Sequence, residues 1–285
     1  MSHFRTAVKE YDQYLDKLKE RQYQVGLPTG LTTYDRLTGG LKASELIILA
    51  GSTSAGKTAL AMQITFNIAD YLRSQGDDSP IVVFSGEMPK YQLVAREIAR
   101  QTGVPIIRQF QGEFDELERQ DIERVKADLA DLSIFITDKP GLDTNHVKRV
   151  LSNFQAPAMV VVDHLQLAAK RGVPPYQAVT DAIETLRELR GEKECPFLVL
   201  SQFSRDKSEV PQRPVLNRLR DSGKIEEAAS VALLLHNPAA LDRSTELDGP
   251  APAELIVAKN RDGWTGHLNL IFKPEQLSFE EKTNE

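Results

Sequence analysis

The sequence is short of the residues that mark secreted, membrane-bound and metal-scaffolded proteins. Its 285 residues include one cysteine, Cys195, and one tryptophan. A lone cysteine cannot close an internal disulfide, which excludes a stapled scaffold and fits a reducing cytoplasm. Cys195 stands between Glu194 and Pro196, ahead of the apolar run PFLVL, a setting for a small buried hydrophobe rather than a nucleophile. No apolar run reaches the roughly 18 residues of a membrane span. The start, MSHFRTAVKEYDQYLDKLKE, is charged throughout, unlike a secretory signal. The five histidines, His3, His146, His164, His236 and His267, are scattered without metal-ligand spacing, and of these only His164 is placed near a site of interest. An excess of positive charge is also missing. The 35 Lys and Arg face 41 Asp and Glu, for a net charge of -6. A nucleic-acid partner would have to be gripped by a channel or by loops, not by the surface at large.

What is present is a regular alternation. Residues 3–22 read as one helix, with Phe4, Val8, Tyr11, Leu15 and Leu18 in a/d heptad spacing. A stripe that narrow suits docking into a groove, and residues 1–22 are expected to project and dock on a neighbouring subunit. Gly26, Pro28 and Gly30 break the helix and open the main domain, 23–285. Apolar runs then read as strands at 45–51, 81–87, 133–138, 159–167, 196–202 and 230–236. Helical patterns lie between them, at about 57–73, 90–102, 115–130, 144–153 and 178–193. Continuous apolar strands alternating with helices predict an α/β fold with a mainly parallel sheet covered on both faces. ELIVAKNRDGWTGHLNLIFK reads as a C-terminal β-hairpin. Residues 203–224 and 237–252, polar and rich in Pro or Gly, read as loops.

The segment Gly51-Ser52-Thr53-Ser54-Ala55-Gly56-Lys57-Thr58 fits G-x-x-x-x-G-K-[ST], between an apolar strand and a helix as the motif requires. Its glycines let the backbone wrap a polyphosphate, and the helix N-terminus offers amide donors. Lys57 places a cation on the β- and γ-phosphates of ATP, and the Thr58 hydroxyl is a Mg²⁺ ligand. A second hard ligand comes from Asp163, which ends the run Val160-Val161-Val162-Asp163. Glu87, at the end of IVVFSGE, is the candidate base for activating water. Gln202, at the end of PFLVLSQ, is the candidate sensor of the γ-phosphate. Strands of a parallel sheet deliver such residues to one carboxyl edge, where ligands bind.

These segments closely resemble the C-terminal ATPase domain of DnaB-type replicative helicases, in order and spacing over nearly the whole chain. Pro28-Thr29-Gly30 through Gly39-Gly40-Leu41 is similar to the family's lead-in to the P-loop. Ser85-Gly86-Glu87-Met88-Pro89, with Gln92-Leu93 and Arg96, resembles its glutamate motif. Asp163-His164-Leu165-Gln166-Leu167 resembles its Walker B segment, and Ser201-Gln202-Phe203-Ser204-Arg205 its sensor segment. Arg213-Pro214 and Leu219 to Glu226 resemble the DNA-contacting region, and Ala258-Lys259-Asn260-Arg261-Asp262-Gly263 the stretch that reaches the neighbouring subunit's ATP.

The resemblance implies a RecA-like P-loop NTPase that forms a homo-hexameric ring, translocates on single-stranded DNA and unwinds duplex during replication. A helicase loader or primase would be a partner. Lys259 and Arg261 would be catalytic cations acting in trans, and Arg220, Asp221 and Gly223 would contact DNA phosphates without reading sequence. The alternative is a RecA- or KaiC-like ATPase that remodels a filament or a protein partner. A nucleotide-gated scaffold that hardly hydrolyses fits less well with the full set of Lys57, Thr58, Glu87 and Asp163.

The sequence also departs from the family. Ala228-Ala229-Ser230 stands where an acidic residue is usual, His236-Asn237 where an arginine often stands, and Gly86 where a larger residue does. No counterpart of the collar domain of bacterial members is expected in the chain. That fits an excised domain, a compact phage- or plasmid-type form, or a paralogue.

Overall fold

Apolar, β-branched runs separated by amphipathic segments fold, in the computed structural model of the chain, into one nine-stranded sheet. The structure describes residues 4–20, 25–168, 172–203, 213–241 and 249–282, without the side chains of 14, 17–20, 220–222 and 240–241. The strands are β1 (Leu46–Gly51), β2 (Ile81–Ser85), β3 (Ile134–Thr137), β4 (Met159–Asp163), β5 (Phe197–Gln202), β6 (Val231–His236), β7 (Ala251–Asn260), β8 (Gly266–Lys273) and β9 (Ser278–Glu281). Their spatial order is β3-β2-β4-β5-β1-β6-β7-β8-β9. The first six are parallel, and β7, β8 and β9 add on as an antiparallel extension.

The helices are α1 (Phe4–Glu20), α2 (Thr32–Thr38), α3 (Lys57–Ser74), α4 (Lys90–Thr102), α5 (Ile106–Gln111), α6 (Glu116–Ala130), α7 (Thr144–Leu151), α8 (Pro175–Lys193), α9 (Gly223–Ala228) and α10 (Pro238–Leu241). The period of two along each buried strand divides the core between the two faces. Ile47, Leu49, Val83, Val161 and Leu198 face α3. Leu46, Ile48, Val82, Val160 and Phe197 face α7 and α8. The expected α/β sheet with helices on both faces is present. Cys195 is buried, and burial pushes its thiol up to about 12, which leaves it unreactive as read from the sequence. Among the described residues no helix is long and apolar enough to cross a membrane.

Several boundaries differ from the sequence reading. β2 stops at Ser85, so Glu87 lies two residues beyond the strand. β4 stops at Asp163, and Leu165–Leu167 turns into a 3-10 helix. The expected loop at 203–224 contains a 3-10 helix, Leu216–Ser222, and the start of α9. α10 and the start of β7 fall within the expected loop at 237–252. The terminal hairpin gains a third strand, β9, paired antiparallel to β8, and Gln63 of α3 holds it at Phe279. Its Nε2 donates to the Phe279 carbonyl at 2.7 Å, and its Oε1 accepts from the Phe279 amide at 2.9 Å. The 1–22 helix is observed as α1, with Phe4 80% and Tyr11 59% exposed. Ser204 and Arg205 of the sensor segment lie outside the described residues.

Candidate active site

Strand order explains why residues far apart in sequence meet. β2, β4, β5 and β1 are successive neighbours. All four run parallel, so Glu87, Asp163, Gln202 and the P-loop emerge side by side at one edge. The P-loop turns through Ser54 (φ 68°) and Gly56 (φ 97°). A Cβ on Gly56 would lie 2.7 Å from Phe279 Cζ, so β9 packs directly beneath the loop. From the other side the buried Asn237 donates to the Ala55 carbonyl at 3.2 Å.

Lys57 Nζ donates to the carbonyls of Gly51 at 3.1 Å and Ser52 at 2.9 Å, inside the turn that a polyphosphate would fill. Burial lowers its pKa, and the carboxylates of Asp163 and Glu87 oppose that shift. Thr58 Oγ1 donates to Asp163 Oδ2 at 2.7 Å. Octahedral Mg²⁺ at about 2.1 Å from each oxygen sets neighbouring ligands roughly 3 Å apart, so the pair fits two positions of such an ion.

Glu87 is held through its backbone. The Gly86 amide donates to the Asp163 carbonyl at 2.8 Å, and the Gly86 carbonyl accepts from Gly141 at 3.1 Å. A Cβ at Gly86 would lie 2.7 Å from Leu167 and 2.8 Å from the Gly141 carbonyl. Position 86 thus has no room for a side chain.

Beside Glu87 lies His164, 5% exposed, with Nδ1 3.4 Å from Glu87 Oε2 and Nε2 3.0 Å from Gln202 Nε2. Glu87, Asp163 and His164 turn one potential ligand atom each to a common point, all within 4.8 Å. Linear spacing concealed this cluster because two different strand ends build it. Arg96, on α4, is a half-buried cation whose pKa burial lowers, with Asp163 and Glu87 pulling the other way. The sequence reading gave it no role of its own. Its position two turns into the helix after the glutamate motif was the available signal.

One cavity of about 340 Å³ is lined by Thr53, Ser54, Gly56, Lys57, Thr58, Glu87, Asp163 and Gln202, together with Arg96 and His164. Gly51, Ser52 and Ala55 supply loop backbone around it. Lys259 and Arg261 do not line it. Lys259 Nζ donates to the Glu226 carbonyl at 2.5 Å, and Arg261 to the Glu227 carbonyl at 2.7 Å, both on α9. The two cations point the same way, toward α9 of their own chain. Arg220 and Asp221 sit on the 3-10 helix with side chains outside those described, and Gly223 opens α9 with free space around it.

The chain is 31% identical over 280 residues to the replicative DNA helicase DnaC of Bacillus subtilis, covering 95% of this chain and 60% of that protein. It is 32% identical over 286 residues to a probable replicative DNA helicase of Trieres chinensis, covering 96% and 62%. The chain thus spans about 60% of the length of these curated relatives. Among solved structures, the ATPase domain of G40P superposes with a TM-score of 0.81 at 25% identity, over 95% of this chain and 98% of that one. A DnaB-like replicative helicase, described with its primase interactions, gives a TM-score of 0.78 at 25% identity, over 98% and 66%. The architecture is therefore the RecA-like P-loop NTPase fold. The model of the DnaB-like helicase C-terminal domain matches residues 26–281, and the chain belongs to that family.

Proposed function

We propose that the chain is the ATP-hydrolysing motor of a DnaB-type helicase, assembling as a homo-hexamer that moves along single-stranded DNA and unwinds duplex. The observation that carries this reading is the meeting of Lys57, Thr58, Asp163, Glu87 and Gln202 at one sheet edge, while the cations Lys259 and Arg261 lie outside that cavity. A site with the phosphate grip, metal ligands and base of one protomer, but without those two cations, is half of an interface.

The P-loop amides and Lys57 would hold the β- and γ-phosphates, and Lys57 would exchange its loop carbonyls for phosphate oxygens. Thr58 and Asp163 would hold Mg²⁺, which when bound supplies charge neutralisation on the phosphates. Glu87, exposed toward solvent, would orient and deprotonate the attacking water. Gln202 would contact the γ-phosphate through its amide. Lys259 and Arg261, delivered by the next protomer, would stabilise charge on the transferring phosphoryl, an effect worth roughly 10³–10⁵ in rate for such fingers.

Residues 1–22 would dock on a neighbour. Phe4, Val8 and Tyr11 of α1 are exposed, as are Tyr91, Ile107, Phe110 and Leu117 on α4 to α6. These two apolar surfaces can cover each other between copies. Arg220, Asp221 and Gly223 would face the channel and contact DNA phosphates. A loader or primase is proposed as an additional partner.

The test is steady-state ATPase with and without single-stranded DNA, for wild type and Glu87→Gln. Stimulation by DNA, with turnover reduced at least 100-fold and ATP binding retained in the variant, is expected. A wild-type ATPase indifferent to DNA would instead favour the remodelling ATPase.

A further inference from the structure

Gln202 and Glu87 come from strand ends separated by β4, and one buried ring spans the gap between them. We propose that His164 is a positioning residue that ties the base Glu87 to the γ-phosphate sensor Gln202, so that the two are set together.

The hydrogen-bonding roles support a directional link. Gln202 Nε2 lies 3.0 Å from His164 Nε2. An amide NH₂ can only donate, so Nε2 of the ring accepts and the ring proton sits on Nδ1. Nδ1 is the atom facing the acids, 3.4 Å from Glu87 Oε2 and 3.5 Å from Asp163 Oδ1. The ring thus accepts from the sensor on one side and turns Nδ1 toward the carboxylates of Glu87 and Asp163 on the other, near enough for a small shift of the exposed Glu87 side chain to close a hydrogen bond. Such contacts are often long before substrate binds and shorten in the loaded site.

Two surrounding features leave this link as the adjustable one. The backbone of the sensor is pinned independently: Gln166 Oε1 accepts from the Gln202 amide at 2.9 Å, and Gln166 Nε2 donates to Ser201 Oγ at 2.9 Å. The backbone before Glu87 is pinned at Gly86. What remains adjustable is the Glu87 side chain, 59% exposed, and the side-chain carboxamide of Gln202; the 6% exposed imidazole lies between them. A sensor amide drawn toward a γ-phosphate would pull on His164, and the ring would carry the change to the carboxylate.

The inference rests on Glu87 being the base, and the experiment separates the two. Single-turnover hydrolysis at saturating Mg-ATP and equilibrium ATP binding are measured for His164→Ala, His164→Asn and His164→Gln, each alone and combined with Gln202→Ala. Asn places its amide where Nδ1 sits and keeps a donor facing Glu87. Gln reaches the Nε2 position and keeps the bond to Gln202. His164→Ala is expected to slow hydrolysis at least tenfold while ATP affinity stays within about threefold. The Asn and Gln variants should fall between it and wild type.

In the Gln202→Ala background, His164→Gln should lose its advantage over His164→Ala, whereas His164→Asn should keep it. A ring that only fills space would give equal advantages in both backgrounds. If His164→Ala does not fold, judged by far-UV circular dichroism, the Asn and Gln pair decides the matter by the same comparison. Glu87→Gln is the control. If it leaves turnover intact, the base assignment falls and this inference with it. If it abolishes turnover while all three His164 variants stay within twofold of wild type, this inference alone is overturned.

Discussion

Gly56 shows how little room a single position can leave. Its φ of 97° lies where L-residues are strained, and Phe279 occupies the space a Cβ would need. Gly56→Ala should therefore weaken ATP binding at least tenfold while most of the fold survives. Adding Phe279→Ala should not restore it, since the backbone conformation remains unfavourable. Titration calorimetry of both variants checks this; recovery in the double variant would mean that crowding alone had set the cost. At this scale the sequence was legible where chemistry is contiguous, as in the eight residues of the P-loop. It was opaque where a partner is remote. Asn237 supports Ala55 from 182 positions away and His164 meets Gln202 from 38. Arg96 was quoted within a motif, but nothing in its neighbours shows that it turns toward Asp163.

Among elements, the long ones were readable and the short ones were not. The buried strands appear as unbroken apolar runs because helices cover both faces. α2 and α5, of seven and six residues, hold too few turns to show a period. α9 begins at a glycine after polar residues, so its composition resembles a loop. β9 was missed because it is only the four residues Ser278–Glu281, one apolar among three polar, and is placed by pairing with β8.

α1 is the element whose role depends most on context. Its heptad stripe is exposed at Phe4, Val8 and Tyr11, so deleting residues 1–22 should weaken assembly far more than folding. Sedimentation velocity should show the truncated chain shifted to monomer, with a thermal midpoint within about 3 °C of the intact protein, roughly the effect of 1 kcal/mol in a large domain. A large loss of midpoint with assembly intact would mean that the stripe packs on its own domain.

At the scale of the whole molecule, the residues proposed for catalysis stand in two places. Lys57 belongs to the phosphate site, whereas Arg261 rests on α9, beside the segment proposed to touch DNA. Arg261→Ala should keep ATP binding and lose turnover by about 10³ or more, and Lys57→Ala should lose both. Mixed together, the two inactive proteins should regain measurable ATPase activity at interfaces that join an intact P-loop to an intact finger. Dilution of wild type with Lys57→Ala provides the control. A steep, more-than-proportional loss there marks strict coupling around the ring, which suppresses rescue. Absence of rescue with merely proportional dilution would place Arg261 outside catalysis in trans.

The neighbouring order of β2, β4, β5 and β1 has one more consequence. Hydrogen-bonded strands lie about 4.8 Å apart whatever their side chains are, so four of them make a ruler of roughly 14 Å marked by the peptide group itself. Glu87, Asp163, Gln202 and the P-loop are its graduations. Side chains in the core can be exchanged widely without altering that scale, provided that each strand keeps its register. This is how a chain can share only 25% of its residues with the G40P domain and still superpose on it with a TM-score of 0.81. The lineage passes on the measure and is free to rewrite the material.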